Sequence, residues 1–427
     1  MRHTRQWLAK AHRWGSFALG LLLLVVVISG VVLVLGPEIE QVTHPSLYDT
    51  DPGPAKLAPG QALAVVHKEL PEFDTAGTFI YDNRGAWEVH SPATGEVARV
   101  DDTDGKLLGT IDREHGVMAF IANLHECGLT CEEMSGYIPF LAKPAQIWGF
   151  DLTLGNEGNW GGFILAVSGI LLLLLVVTGL VIWWPRRGGF RRGLKVRRGK
   201  GRYKLNYDLH KVVGFVALPA LAIWAITGIN FELPKQTEGA FYAVTPGSAA
   251  PDSIYEFESK PGSGPGVTMS EAIEDARTAV PSGSRLVSIT VPEASEKGSP
   301  YEIWFAHGVD TYAYGYYPGN YGVYVDRYSG KAHQYLPNPA NDTVTNNFMQ
   351  NWAGAIHMGT LVGWLPRTAW ILFGLTPLLL AVTGTVTWLM RRRMGRRKKG
   401  RDKDRGAGGS SGPGAPSPVG VPAGVEA

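Results

Sequence analysis

Apolar side chains collect in four runs of this chain, residues 15–35, 160–184, 212–231 and 368–390. The runs hold 21, 25, 20 and 23 residues and no charged side chain. An α-helix rises about 1.5 Å per residue, so about 20 apolar residues cross the hydrocarbon core of a bilayer. The runs therefore predict four transmembrane helices. Between them lie two long polar segments, residues 36–159 and 232–367, with other periodicities. Residues 59–69 have helical spacing (Ala62, Leu63, Val66), and 78–81, 87–90 and 97–100 read as strands, the first two about a turn at 83–85. In the second segment residues 268–280 read as a helix capped by Thr268 or Ser270, followed by strands at 286–291, 301–305 and 321–325. Each polar segment thus predicts a small α+β domain.

The order of elements repeats. The run Asp101-Asp102-Thr103-Asp104-Gly105-Lys106 ends a strand in the first half, and Asp326-Arg327-Tyr328-Ser329-Gly330-Lys331 does so in the second. The expected fold class is a membrane α-helical protein: four transmembrane helices with two α+β outer domains, internally duplicated. Its expected parts are an N-terminus (1–14), helix (15–35), outer domain (36–159), helix (160–184), basic loop (185–211), helix (212–231), outer domain (232–367), helix (368–390) and tail (391–427). Residues 130–159 have no counterpart in the second half and read as an insertion. The tail from 406 is rich in Gly, Pro, Ser and Ala and is expected to be disordered.

Charge orients this arrangement. Residues 1–14, 185–211 and 391–427 carry 25 Lys/Arg against 4 Asp/Glu, while the two polar segments hold the remaining 15 and 34. Short basic loops stay in the cytoplasm. Both termini are thus expected inside and both polar segments outside, in a multi-pass protein of the cell membrane. The basic start suggests a signal peptide, but its apolar run is longer than the usual core and no small-x-small site follows, which predicts an uncleaved anchor. Arg186, Arg187, Arg191 and Arg192 set topology and touch anionic lipid. A loop pinned to the bilayer argues against nucleic acid as a partner, and spans free of charge argue against an ion path. Cys127 and Cys131 lie in the first outer segment, where a disulfide is permitted and free thiols are equally compatible.

Four of the eleven histidines fall at related places. His12 and His210 each precede a Ser/Thr by 17 residues, Ser29 and Thr227, and sit at the cytoplasmic ends of their helices. His125 and His357 approach the next apolar run from outside, each with an aromatic five residues earlier, Phe120 and Trp352. Neutral imidazole is the commonest metal ligand, and facing helices commonly build cofactor sites. One matched pair per face suggests two bis-histidine b-type haems, one near each surface. His115 is a rival outer ligand without a counterpart in the second half. Each apolar run also carries a small pair, Ser29-Gly30, Thr178-Gly179, Thr227-Gly228 and Thr383-Gly384, which permits close helix packing or leaves room for a flat ring. Tyr312, Tyr314, Tyr316, Tyr317 and Tyr321 form an aromatic cluster, read as part of a sheet and loop ahead of a docking surface.

With these residues in view the chain resembles the PepSY-associated transmembrane family, most of all its membrane ferric-siderophore reductases. The resemblance rests on His12-Arg13-Trp14, the block from His125 to Trp184-Pro185-Arg186-Arg187, Asp208-Leu209-His210-Lys211, and His357-Met358-Gly359 with the Thr383-Gly384 helix, and spans roughly residues 5–395. It implies PepSY-like outer domains and haem held between helices, His12 with His210 inside and His125 with His357 outside. It further implies electrons from a cytoplasmic reductase or a quinol reaching a ferric chelate at the outer face. The alternative is a sensor or protease modulator that binds peptides or a partner protein and needs no haem.

Overall fold

The computed structural model describes residues 2–50, 56–75, 77–147, 150–151, 158–184, 189–248, 252–262, 266–293, 295–313, 315, 317–341, 343–361 and 364–407. Arg186, Arg187, Tyr314, Tyr316 and the tail beyond 407 lie outside the described residues.

Among the described residues, four long strands come from each polar segment. The first gives β1 (Phe79–Asp82), β2 (Ala86–His90), β3 (Glu96–Asp101) and β4 (Leu107–Asp112). Among the described residues of 130–159 the chain forms a short hairpin, β5 (Gln146–Ile147) with β6 (Phe150–Asp151). The second segment gives β7 (Arg285–Thr290), β8 (Tyr301–Ala306), β9 (Tyr321–Val325) and β10 (Ala332–Leu336). The expectation of two separate outer domains is overturned. All eight long strands form one antiparallel sheet in the order β10-β9-β8-β7-β1-β2-β3-β4. The halves meet where β1 pairs with β7, Phe79 opposite Thr290 and Tyr81 opposite Ser288. Each meander alone would leave this edge with unpaired N–H and C=O groups, and fusion satisfies both.

One core crosses the join. Ala62 and Val66 of the Pro59–Glu69 helix and Ala272, Ile273 and Ala276 of the Met269–Arg277 helix cover Ile80, Val89, Ile289, Ile303, Phe305, Val323 and Val325. The second helix is capped by Thr268, whose hydroxyl accepts from the Glu271 N–H while the Glu271 carboxylate accepts from the Thr268 N–H. The two acidic turns match. Asp101 accepts from the N–H groups of Thr103 and Asp104, and Asp326 from those of Tyr328 and Ser329. Gly105 and Gly330 take φ of +76° and +73° there, which a Cβ would resist.

The apolar runs also depart from expectation, and the picture of four transmembrane helices does not hold. Trp160–Trp183 is one helix of 24 residues, and Arg367–Arg396 has the length and apolar character to cross a bilayer. The first and third runs are broken: His3–Ala18 meets Gly20–Val34 at 66°, and Arg202–Val216 meets Leu218–Glu232 at 56°. Two helices are thus long and apolar enough to span, or up to four if each bent pair counts as one. In the third run the break precedes Pro219, whose ring offers no N–H and crowds the carbonyl four residues back. In the first, Leu19 leaves the helical region with φ −123° and ψ 0°.

A buried charge cluster ties the sheet to the chain that leaves the first run. Glu88 and Arg99, both fully buried, lie on the sheet face opposite the apolar core and pair with each other. Arg113 donates to Glu88 at 2.7 Å and to Glu40 at 2.8 Å. The Arg99 Nε donates to the Leu47 carbonyl at 2.9 Å, and its guanidinium lies 4.1 Å from the Tyr48 ring centre. Burial works against the Glu88 carboxylate, but Arg113 and Arg99 outweigh it and hold its pKa well below the usual value of 4.5. A depressed carboxylate contributes stability above its unfolded pKa and loses it as pH falls through the folded one. This contribution is therefore expected to be complete at neutral pH and to disappear only in acid below pH 4.5. Arg99→Ala leaves Glu88 with Arg113 as its one arginine partner among the described residues, removes the hydrogen bond to the Leu47 carbonyl, and is expected to cost about 3 kcal/mol, read as lowered thermal stability of the detergent-purified chain.

Candidate functional site

His125 lies in a π-helical turn, Asn123–Cys127, and His357 in the helix Ala353–Met358. The structure brings these two imidazoles together. Their ring centres are 6.2 Å apart and their planes are tilted by 43°. Two imidazoles bound to opposite sides of one metal ion, each through a bond of about 2 Å, have ring centres roughly 6 Å apart. His12 lies in the helix Arg2–Ala18 and His210 in Arg202–Val216. His115 is turned away, its side chain exposed and its Nδ1 2.8 Å from Asp112.

Each of the four histidines presents Nδ1 to one of the four small pairs in the apolar helices. His12 lies 2.9 Å from the Thr178 hydroxyl and His125 3.1 Å from that of Ser29. His210 lies 3.0 Å from Thr383 and His357 2.7 Å from Thr227. Within each half the exchange is reciprocal: the histidine before one apolar helix bonds the hydroxyl of the other. The glycine after each hydroxyl receives the imidazole. A Cβ added at Gly30 would lie 2.6 Å from His125 Cε1, at Gly384 3.3 Å from His210 Cε1, at Gly179 3.5 Å from His12 Cε1, and at Gly228 4.0 Å from His357 Cε1.

The hydrogen-bond network favours one tautomer. Each hydroxyl donates its own hydrogen to a carbonyl one turn back: Ser29 to Val26, Thr178 to Leu174, Thr227 to Ile223 and Thr383 to Leu379. Its oxygen is left to accept, so Nδ1 carries the proton. The Val26 carbonyl, 2.8 Å from His125 Nδ1, and the Leu380 carbonyl, 3.1 Å from His210 Nδ1, can only accept, which requires the same tautomer. Nε2 of each ring then keeps its lone pair, the state in which imidazole binds a metal.

A cavity of about 360 Å³ opens at the outer pair. Leu23, Val27, Leu165 and Leu172 give it apolar walls, and Trp224, Phe231 and Trp370 add aromatic ones. The Trp224 and Trp370 indoles donate to the His357 carbonyl at 3.2 and 3.0 Å, which holds that segment in place. On the other side Cys127 and Cys131 form a disulfide directly after His125. Among the described residues no three His, Cys, Asp or Glu side chains converge as a metal-ion site. Two imidazoles suffice where a macrocycle supplies the other four ligands, and the donor set and tautomers fit a haem.

A second cavity, of about 880 Å³, lies where the two halves of the sheet meet. Arg84, Arg277, Arg285, Asp82, Glu274 and Asp310 give it mixed charge. Tyr312 lines both cavities. It is buried, with the Arg84 guanidinium 3.7 Å from its ring centre and that of Arg367 at 5.2 Å. Burial raises the Tyr312 phenol above its ordinary pKa, Glu38 adds to this, and the arginines oppose it. Arg367 is itself fixed by Glu38, at 2.8 Å, and by the Val34 carbonyl at 3.0 Å. Sequence reading placed Tyr312 in a sheet or loop and did not single out Arg367, Trp224 or Trp370. It related His12 to Ser29 and His210 to Thr227 by spacing along one helix but did not pair each histidine with the hydroxyl of another helix, although four of each in matching halves was a usable signal.

At Gly30 the close approach leaves no room for a methyl group. Gly30→Ala is expected to destabilise the purified chain by about 1–3 kcal/mol through overpacking. Gly228→Ala is expected to stay within about 0.5 kcal/mol. Thermal unfolding in detergent separates the two.

The family described as PepSY-associated TM region matches residues 9–391. No curated protein matches the chain. The chain belongs to the PepSY-associated transmembrane family.

Proposed function

We propose that this membrane protein of the PepSY-associated transmembrane family holds two b-type haems and passes electrons outward to a ferric chelate, such as an Fe(III)-siderophore. The observation that carries the reading is the His125–His357 pair, 6.2 Å between ring centres, with both Nδ1 atoms committed to helix hydroxyls. His125 and His357 would hold the outer haem, and His12 and His210 the inner one. When bound, haem supplies one-electron chemistry that side chains do not.

The chain's own residues do the rest. Ser29, Thr178, Thr227 and Thr383 orient the imidazoles. Leu23, Val27, Leu165 and Leu172 keep water from the outer pair. Tyr312 lines both that cavity and the outer cleft, where the ferric chelate would dock. Reduction to Fe(II) weakens binding by hard oxygen donors, so the chelate loses its iron. The charge asymmetry of the chain supports a multi-pass arrangement in the cell membrane with both termini cytoplasmic. A cytoplasmic reductase or a membrane quinol would supply the electrons.

The visible spectrum of the detergent-purified protein tests this. Two haems per chain with a reducible Soret band are expected, and His357→Ala and His210→Ala should each remove one. A colourless protein from haem-replete cells would refute the reading and favour a haem-free sensor. Under anaerobic conditions the dithionite-reduced protein is expected to be reoxidised by an added ferric hydroxamate chelate. Persistence of the reduced spectrum would remove the ferric acceptor from the proposal.

A further inference from the structure

We infer that Ser29, Thr178, Thr227 and Thr383 are positioning residues that set the redox potentials of the two haem sites, and that Thr227 governs the outer one. The inference rests on the haem reading above. Small residues in apolar helices usually serve helix packing. Here a packing role leaves three observations unexplained. All four hydroxyls meet an imidazole Nδ1 at 2.7–3.1 Å. All four spend their own hydrogen on a carbonyl one turn back. All four are followed by a glycine facing the imidazole Cε1.

An Nδ1–H that donates to a good acceptor makes its imidazole a more basic ligand. A stronger donor favours the ferric over the ferrous ion and lowers the potential. Removing the acceptor should therefore raise it.

The four sites are not equivalent. His125 retains the Val26 carbonyl as a second acceptor at 2.8 Å, and His210 the Leu380 carbonyl at 3.1 Å. His12 has the Leu175 carbonyl. For His357 the acceptor seen among the described residues is the Thr227 hydroxyl, and at 2.7 Å it is the closest of the four. Loss of Thr227 should thus be felt more than loss of Ser29, although both serve the same outer site.

The test uses the full-length holoprotein in detergent, with haem content per chain and the potential of each haem read by spectroelectrochemistry. Thr227→Val keeps the side-chain volume and removes the acceptor. It is expected to raise the outer haem potential and leave the inner one unchanged, and Thr227→Ser should restore the original value. Ser29→Ala should shift the same haem in the same direction by less. Thr178→Val addresses the inner haem independently, should Thr227→Val fail to fold. Wild-type protein with two haems and variants with unmoved potentials would overturn this inference alone. Equal shifts from Ser29→Ala and Thr227→Val would overturn the ranking. A wild-type protein without haem would overturn the haem reading itself, and this inference with it.

Discussion

An imidazole and a hydroxyl placed among apolar helices must satisfy one another, because hydrocarbon surroundings offer neither of them water. This constraint organises the protein. Ser29, Thr178, Thr227 and Thr383 each lie in an apolar helix, and each meets a histidine supplied by another segment. The pairing decides which helix faces which. His12 bonds Thr178 and thereby sets the first helix against Trp160–Trp183. His210 bonds Thr383 and does the same for the second half. The glycine that follows each hydroxyl lets the ring approach. Once Nδ1 is committed, Nε2 is the nitrogen left for a metal.

The same logic of satisfying polar groups joins the outer parts. Two four-stranded meanders, each with a free edge, become one sheet when β1 pairs with β7. The sheet is then fixed to the apolar helices by buried ions. Glu88, Arg99, Arg113 and Glu40 form a continuous cluster that reaches the chain leaving the first apolar run. Arg367 binds Glu38 and the Val34 carbonyl from the other half. These contacts hold Tyr312 at the boundary between the outer cleft and the histidine cavity. The position of that residue, more than its chemistry, makes it part of the proposed electron path.

Duplication is visible at every level, yet it does not produce two independent modules. The acidic turns at Asp101 and Asp326 are close copies. The outer histidine segments differ: one is closed by a disulfide, the other by two indole donors to a carbonyl. Both devices restrain a short stretch of backbone at or just beyond a histidine. Residues 130–159 supply the disulfide's second half at Cys131 and the cap of Trp160–Trp183, where Asn159 accepts from the Gly162 N–H.

Periodicity and charge along the chain determined much by local physics. The positions of six of the eight long strands, the two outer helices and the Thr268 cap were legible because alternation, helical spacing and capping chemistry act over a few residues. The strands β4 and β10 were not, because their short mixed patterns become strands only when a neighbour pairs with them. The apolar runs were legible as membrane-compatible, but not the bends at Leu19 and before Pro219, which tertiary packing accommodates. Four histidines could be matched by spacing. That each would find the hydroxyl of another helix, and that two halves would share one sheet, was decided only in three dimensions, where groups 96 or more residues apart must satisfy each other's hydrogen bonds.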